Sequence, residues 1–159
     1  MVIQLKNLLD EDFSNYKLPA MFIGFPKCSF KCEKEAGAKI CQNSSLAVAP
    51  NVDVSIDDLL KRYQNNELSQ AVVCGGLEPL DTFNELYALI KHFRDNGEQC
   101  KFVIYTGYYP DEVMDKIGRL SELGNIVVKY GRFIPNDEKK YDEVLGVTLA
   151  SKNQYAVEL

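Results

Sequence analysis

The chain has 159 residues, of which 46% are hydrophobic and 26% are charged, a composition typical of a folded domain and not of a disordered or fibrous chain. Its 18 basic and 23 acidic residues give a net charge of −5. They form no long basic run, which disfavours nucleic acid as a partner because phosphate binding requires clustered Lys and Arg. No run of eighteen apolar residues occurs, and the first residues lack the apolar core of a signal peptide. We therefore expect one cytoplasmic domain over residues 1–159, with no membrane partner.

After an N-terminal arm of residues 1–19, short apolar runs predict four strands. These strands are 20–25 (AMFIGF), 69–74 (SQAVVC), 101–107 (KFVIYTG) and 125–131 (NIVVKYG). The tail from about Val144 adds one or two short strands around the loop ASKNQ.

Apolar residues at helical spacing predict three helices between these strands. The first follows Ser55, a candidate N-cap, in the segment VSIDDLLKRYQ. The second runs from about Thr82 to Asp95, with Thr82 and Glu85 as a candidate capping box. The third begins at Pro110, a residue suited to the first turn of a helix. Strands that alternate with helices of this length imply βαβ units, and therefore an α/β fold with a parallel sheet.

Four unusual loops follow directly after the predicted strands. They are the cysteine loop of residues 26–43, GGLEPLD, TGYYP and KYGRF. Loops after parallel strands share one edge of the sheet, where α/β proteins build their sites. We therefore expect these four loops to converge on one site.

The cysteine loop holds three of the five cysteines of the chain. Cys28, Cys32 and Cys41 follow the pattern C-x3-C-x8-C. In a cytoplasmic chain such a group favours metal or redox chemistry over a disulfide framework. An iron–sulfur cluster uses thiolate ligands, whereas structural zinc takes four Cys or His ligands and needs one more from elsewhere in the chain. Unligated buried thiols are the third alternative.

Three residues outside this loop are the candidates for that additional zinc ligand. Cys74 ends a predicted strand and is expected to be a small buried hydrophobic residue. Cys100 precedes a strand and has no evident role. His92, the only histidine, lies inside the second predicted helix near its polar side, and we expect an ordinary surface residue. A Cys–His hydrolase is disfavoured because a catalytic thiol normally needs a histidine base.

The four loops together resemble those of small radical S-adenosylmethionine (SAM) proteins. Cys28-x3-Cys32 matches the first two cluster ligands, and GGLEP resembles the family's Gly-Gly-Glu-Pro turn. VIYTGYYPDEV resembles the strand–TGY–helix segment, and YGRF followed by SKNQ resembles the C-terminal signature. These pieces occur in the family's order from about residue 20 to 154. The similarity is greatest to the glycyl-radical enzyme activases of anaerobic ribonucleoside-triphosphate reductase.

The chain departs from the family pattern at two places. EKEAGAKI separates Cys32 from Cys41, whereas the family's third ligand usually follows the second after two residues. Asn43, two places after Cys41, occurs where the family also has an Asn. Leu77 lengthens Gly-Gly-Glu-Pro to GGLEP, which alters the placement of Glu78.

The resemblance implies a [4Fe-4S] cluster and SAM bound at its fourth iron. The implied ligands are Cys28, Cys32 and Cys41 for the cluster, and Gly75, Gly76, Glu78, Thr106, Gly107 and Tyr108 for SAM. The residue types agree with these roles, because glycines let a ligand approach the backbone and a carboxylate binds an ammonium group. No catalytic residue beyond the cluster ligands is implied, since the cofactors carry the difficult step.

The implied reaction is reductive cleavage of SAM to a 5′-deoxyadenosyl radical, which removes a hydrogen atom from a glycine of an anaerobic (class III) ribonucleotide reductase. A flavodoxin-type or other low-potential protein would donate the electron. The implied fold is a partial, laterally open (β/α) barrel, since an eight-unit barrel needs about 250 residues. The Tyr108–Tyr109 pair and residues 132–143 are candidate docking surfaces. Another radical SAM substrate or glycyl-radical enzyme, or a non-enzymatic zinc or iron–sulfur module, is the alternative.

Overall fold

The structure, a computed structural model, describes residues 1–39 and 44–159. The third cysteine of the predicted cluster loop, Cys41, lies outside the described residues, as does Asn43.

The described chain alternates between strands and helices over most of its length. The strands are β1 (Val2–Leu5), β2 (Asn7–Asp12), β3 (Ala20–Phe25), β4 (Val52–Ser55), β5 (Ala71–Gly76), β6 (Lys101–Tyr105), β7 (Ile126–Tyr130), β8 (Lys140–Asp142), β9 (Val147–Leu149) and β10 (Tyr155–Glu158). The α-helices are α1 (Lys31–Ala36), α2 (Ser44–Ala47), α3 (Ile56–Asn65), α4 (Phe83–Asp95) and α5 (Met114–Ser121). Two 3₁₀ turns, Pro79–Thr82 and Pro110–Glu112, precede α4 and α5.

A six-stranded sheet in the order β10-β7-β6-β5-β3-β2 forms the centre of the fold. Its four inner strands are parallel, and the edge strands β2 and β10 are antiparallel to their neighbours. The inner strands are apolar along most of their length because parallel strands are covered on both faces. The fold is therefore α/β with a mostly parallel sheet. The sheet is open in the described part of the chain, which forms no closed barrel, and the partial barrel stays a prediction.

The two faces of the sheet differ in what covers them. Residues of α3, α4 and α5 pack on one face and make the larger core. On the other face Val73, Val103 and Val127 pack against Leu145 and Leu149. Further along the strands, at their carboxyl ends, this second face carries Phe22, Gly75, Tyr105 and Lys129, which line a cleft. The alternation of side chains along a strand thus separates a helix-covered core from the floor of a cleft.

Most predicted elements are confirmed with small changes at their ends. The predicted strand 101–107 ends at Tyr105, so that Thr106 and Gly107 belong to the loop. Ser55 caps α3 as predicted, since its side chain accepts a hydrogen bond from the amide of Asp57.

Two expectations differ from the structure. The N-terminal arm contains β1 and β2, and β2 extends the central sheet. The sequence does not predict these two strands, because each is short and β2 contains three acidic residues. The capping box at the start of α4 is wrong, because Thr82 also ends the preceding 3₁₀ turn. Its hydroxyl donates to the carbonyl of Pro79 at 3.4 Å instead of capping the helix.

No helix among residues 1–39 and 44–159 is both long and apolar enough to cross a membrane.

Candidate functional site

The four unusual loops meet at the carboxyl ends of the parallel strands, as the sequence predicts. They surround a cleft of about 300 Å³. It is lined by Asn15, Phe22, Cys28, Cys32, Gly75, Gly76, Leu77, Glu78, Tyr105, Thr106, Gly107, Lys129, Gly131, Phe133 and Gln154. The structure thus brings together seven of the predicted site residues, among them both described cysteines of the cluster loop.

Cys28 and Cys32 line the same cleft although a tight turn separates them. Phe30, between them, adopts the left-handed conformation with φ 56° and ψ 39° and precedes the first residue of α1. Its amide donates to Cys28 Sγ at 3.2 Å. The described residues contain no complete metal-binding group of three Cys, His, Asp or Glu side chains. Cys28 and Cys32 could therefore supply two of the thiolate ligands of a metal cluster. The third predicted ligand is Cys41.

Glu78 occupies the centre of the site and joins two of its loops. Its Oε2 accepts a hydrogen bond from the amide of Gly107 at 2.8 Å, and its Oε1 accepts one from the amide of Leu80 at 3.1 Å. The residue is only 5% exposed. Burial raises the pKa of this carboxyl to about 7, although these hydrogen bonds oppose the effect. Glu78 is therefore a buried acid whose charged form is disfavoured by desolvation.

The backbone of the same turn is bonded to the cysteine loop. The amide of Leu77 donates to the carbonyl of Phe25 at 3.2 Å, and that of Glu78 donates to the carbonyl of Lys27 at 2.7 Å. The pairing of β5 with β3 thus continues past the ends of both strands. These bonds fix the position of Glu78 relative to the first cysteine, despite the additional Leu77.

A close approach requires glycine at position 76, whereas Gly107 lies beside two functional atoms of the site. Gly76 has a φ of +83°, and a Cβ built there would lie 2.6 Å from the Cα of Gly24. A Cβ at Gly107 would lie 3.6 Å from Cys32 Sγ and 3.7 Å from Glu78 Oε2. A larger residue at Gly107 would therefore fill the space between the thiol and the carboxylate. The chain keeps that space open.

Lys129 is a site residue that the sequence analysis missed. It lies near the end of β7, is 7% exposed, and points to the cleft face of the sheet. Its ammonium group donates to the carbonyl of Gly131 at 3.2 Å and lies 5.7 Å from the ring centre of Tyr105. Burial lowers its pKa to about 8, an effect that the negative charge of Glu78 opposes. The signal in the sequence was a lysine within the otherwise apolar strand IVVKY.

The loop after β6 places Thr106 and Gly107 in the cleft and Tyr108 beside it. The Thr106 hydroxyl accepts a hydrogen bond from the amide of Tyr108 at 3.0 Å. The Tyr108 hydroxyl donates to Asp81 Oδ1 at 2.6 Å. Together with Cys28, Cys32 and Glu78, Tyr108 lines a smaller adjoining cavity.

The tail segment that resembles the family's C-terminal signature closes one side of the cleft. The Gln154 amide group donates to the carbonyl of Gly131 at 3.3 Å and accepts from the amide of Ser151 at 3.2 Å. The side chain of Asn153 donates to the carbonyl of Arg132 at 2.7 Å and to the Tyr109 hydroxyl at 2.8 Å. These two residues therefore serve both the turn of the tail and the loops around the cleft.

A network of ion pairs connects helix α1 of the cysteine loop to the neighbouring loops. Arg132 lies 2.7 Å from Glu112 and 2.8 Å from Glu35. Lys31 pairs with the other oxygen of Glu112 at 3.1 Å. The hydrogen bond from Arg132 is the main cause that lowers the pKa of Glu112 to about 2. This network holds α1 against the rest of the site.

The residues proposed as a fourth zinc ligand lie outside the cleft. Cys74 is fully buried in the core beneath the helices, which confirms the prediction of a small buried hydrophobic residue. Cys100 packs against the same core. His92 lies 3.1 Å from Asp57 on the surface of α4. Their positions give no support to a zinc site shared with the cysteine loop.

The fold and its cleft define an α/β protein with a thiol-bearing loop at the carboxyl end of a parallel sheet. The family described as the 4Fe-4S single cluster domain matches residues 20–156, and the chain belongs to this family. The family is associated with iron–sulfur proteins of the radical SAM type. No curated protein matches the chain.

Proposed function

We propose that the chain is a radical SAM enzyme that binds a [4Fe-4S] cluster through Cys28, Cys32 and Cys41. The proposal further assigns it the activation of a glycyl-radical enzyme, an anaerobic ribonucleotide reductase. When bound, the cluster and SAM supply a one-electron reductive cleavage that yields methionine and a 5′-deoxyadenosyl radical. The observation that carries the proposal is a buried acid and a buried base, Glu78 and Lys129, in the same cleft as two cysteines.

These two charges suit the amino acid portion of SAM, which carries an ammonium and a carboxylate group. Glu78 would accept hydrogen bonds from the ammonium group, and Lys129 would donate to the carboxylate, both as charge-assisted bonds. Each protein group is buried and each has a pKa displaced toward its neutral form. The ammonium group of the ligand would face Glu78 and its carboxylate would face Lys129. These opposite charges would replace the water that both residues lose on burial, and would favour the charged form of each residue. Such compensation supports a zwitterionic ligand over a singly charged one.

The remaining cleft residues would position the ligand and limit the access of water. Phe22 and Tyr105 give the floor apolar surface beside the polar groups. Thr106 and Gly107 also line the cleft, and the resemblance places the nucleoside beside them. A volume of about 300 Å³ lies at the lower end of the range of small-molecule sites.

The partners in this proposal are a glycyl-radical enzyme and a flavodoxin-type or other low-potential electron donor. The Tyr108–Tyr109 pair and residues 132–143 remain the proposed docking surfaces. Within the second segment Ile134 is 43% exposed and Tyr141 is 61% exposed. Exposed aromatic and aliphatic side chains of this kind are common in protein interfaces.

An anaerobic assay tests the reaction. The protein is reconstituted with iron and sulfide, reduced with dithionite and mixed with SAM, and 5′-deoxyadenosine is quantified by chromatography. We expect its formation to depend on the cluster and the reductant. A protein that binds the cluster but neither binds nor cleaves SAM would refute the radical SAM assignment and leave an iron–sulfur module. Mixing with an anaerobic ribonucleotide reductase, followed by electron paramagnetic resonance, tests the partner through the glycyl radical signal.

A further inference from the structure

The 3₁₀ turn after β5 carries two carboxylates with different surroundings. Glu78 is its N-cap and lies in the cleft, whereas Asp81 lies one turn later and does not line the cleft. Asp81 instead lies against the cysteine loop and the loop after β6.

Asp81 accepts two short hydrogen bonds from residues that are distant in sequence. Its Oδ2 accepts from the amide of Ser29 at 2.7 Å, and its Oδ1 accepts from the Tyr108 hydroxyl at 2.6 Å. The Ser29 and Tyr108 hydroxyl oxygens lie 3.3 Å apart, so the three side chains form a connected group. Hydrogen bonds to a carboxylate are about twice as strong as those between neutral groups.

The bond to Ser29 acts on the backbone between the first two cysteines. Ser29 follows Cys28, and the next residue, Phe30, has the left-handed conformation, which is unfavourable for a non-glycine residue. Such strain persists only where surrounding contacts impose it. The Ser29 amide, held by Asp81, and the Phe30 amide, bonded to Cys28 Sγ, are two such contacts.

The bond to Tyr108 connects the same carboxylate to the loop after β6. Tyr108 follows Gly107, whose amide is held by Glu78. Lys31 of the cysteine loop lies with its ammonium group 4.8 Å from the ring centre of Tyr108. Glu78 and Asp81 therefore both bind the loop after β6. Glu78 binds the Gly107 amide within the cleft, and Asp81, which does not line the cleft, binds the Tyr108 hydroxyl.

We infer that Asp81 is a positioning residue of the cluster-binding loop. Through the Ser29 amide it holds the turn that directs Cys28 and Cys32 into one cleft, and through Tyr108 it keeps that turn in register with the loop after β6. The inference rests on the proposed role of the two cysteines as cluster ligands. It assigns Asp81 no contact with the cluster or with SAM.

The first test uses the apoprotein and depends on no cofactor. Hydrogen exchange is measured for the Ser29 amide in the wild type, in Asp81→Ala and in Asp115→Ala. Asp115 is an exposed acid on α5, so its removal controls for the loss of one negative charge. We expect at least about tenfold faster exchange at Ser29 in Asp81→Ala, and no change in the control. Unchanged exchange in Asp81→Ala would overturn the inference.

The second test measures the release of iron from the reconstituted proteins to a chelator. We expect Asp81→Ala to release iron about tenfold faster than the wild type. Tyr108→Phe, which keeps the Ser29 bond, should show a smaller increase, and Asp115→Ala none. Iron release at the wild-type rate from Asp81→Ala would overturn the inference. If Asp81→Ala fails to fold by circular dichroism, Asp81→Leu, which is similar in size and has no acceptor oxygen, is judged by the same two criteria.

A Cys28→Ala variant separates this inference from the proposed function. Cys28→Ala with the iron content of the wild type would refute the ligand assignment itself. Cys28→Ala without iron, combined with normal iron release from Asp81→Ala, would refute only the role of Asp81.

Discussion

The amide of Gly107 donates a hydrogen bond of 2.8 Å to Oε2 of Glu78, across 29 positions of the sequence. This bond joins the turn after β5 to the loop after β6 at the centre of the cleft. A Cβ at Gly107 would lie in ordinary contact with both Cys32 Sγ and Glu78 Oε2, at 3.6 Å and 3.7 Å. The carboxylate of Glu78 is thus fixed beside one of the proposed cluster ligands.

Glu78→Gln is expected to weaken SAM binding while the cluster is retained. Glutamine keeps an acceptor oxygen for one of the two local hydrogen bonds, and it carries no charge for the ammonium group of the ligand. A lost charge-assisted bond in a buried site is worth about 1.5–3 kcal/mol, so the affinity should fall at least about tenfold. Anaerobic titration calorimetry of the reconstituted protein measures it.

Glu122→Gln is the matched control for this variant, because Glu122 is exposed on the surface after α5. It should bind SAM as the wild type does. Wild-type affinity in Glu78→Gln, with normal iron content in both variants, would show that Glu78 does not bind the ligand.

Cys28→Ala, Cys32→Ala and Cys41→Ala are each expected to prevent assembly of the cluster, whereas Cys74→Ala is expected to retain it. The first two side chains line the cleft, and Cys74 is fully buried in the core on the helix-covered face. Iron content and visible absorbance after anaerobic reconstitution measure the difference. Cys74→Ala should only reduce the free energy of unfolding, by about 1 kcal/mol.

Full iron in Cys41→Ala would contradict the assignment of the third ligand despite the unusual spacing. Loss of iron in Cys74→Ala, at unchanged secondary structure, would contradict the placement of Cys74 in the core.

The convergence of the four loops could be predicted from the sequence, whereas their mutual contacts could not. Apolar runs such as AVVCGG identify the parallel strands, and the geometry of parallel sheets then places the following loops at one edge. The contact between Asp81 and Ser29 spans 52 positions and depends on how the loops pack. No local pattern encodes such a contact.

Lys129 shows a second limit of the sequence. A single lysine in a strand is ambiguous, because it can end the strand, lie on an exposed face or be buried. Only the packing of β7 between β6 and β10 shows that its side chain faces the cleft and is 7% exposed. By contrast, the burial of Cys74 was predictable, since it lies in a run of apolar residues.

Gly76→Ala is expected to destabilise the protein strongly. The added Cβ would lie 2.6 Å from the Cα of Gly24 and 2.8 Å from the amide nitrogen of Phe25, in a backbone conformation with φ +83° that L-residues rarely adopt. Backbone strain and overpacking together should cost about 3 kcal/mol or more of the free energy of unfolding. Urea denaturation of the apoprotein measures this cost.

Gly118→Ala provides the control for a glycine with open surroundings. Gly118 lies in α5, and a Cβ built there meets no atom within 4 Å. Alanine should stabilise the helix by about 0.5–1 kcal/mol. A Gly76→Ala variant as stable as the wild type would disprove the close approach between β3 and β5 at this point.

The ion pair between Arg132 and Glu112 predicts a pH-dependent contribution to stability. Because Arg132 lowers the pKa of Glu112 to about 2, the folded state keeps this carboxylate charged at pH values where the unfolded chain binds a proton. The stabilisation is complete above the unfolded pKa of about 4.3 and is lost as the pH falls toward 2. Glu112→Gln should therefore cost about 1 kcal/mol at pH 7, and this cost should shrink below pH 4.

Urea denaturation of the apoproteins between pH 7 and pH 3 measures the free energy of unfolding that Glu112→Gln loses at each pH. Asp95→Asn serves as the control, since Asp95 pairs with Lys91 on the exposed surface of α4 at 2.8 Å. An exposed helix pair of this spacing contributes little to stability, so its removal should have the smaller effect at pH 7. If Glu112→Gln and Asp95→Asn reduced the free energy of unfolding equally at pH 7, the Arg132 network would not hold α1 against the site. A cost of Glu112→Gln that stays constant down to pH 3 would contradict the lowered pKa.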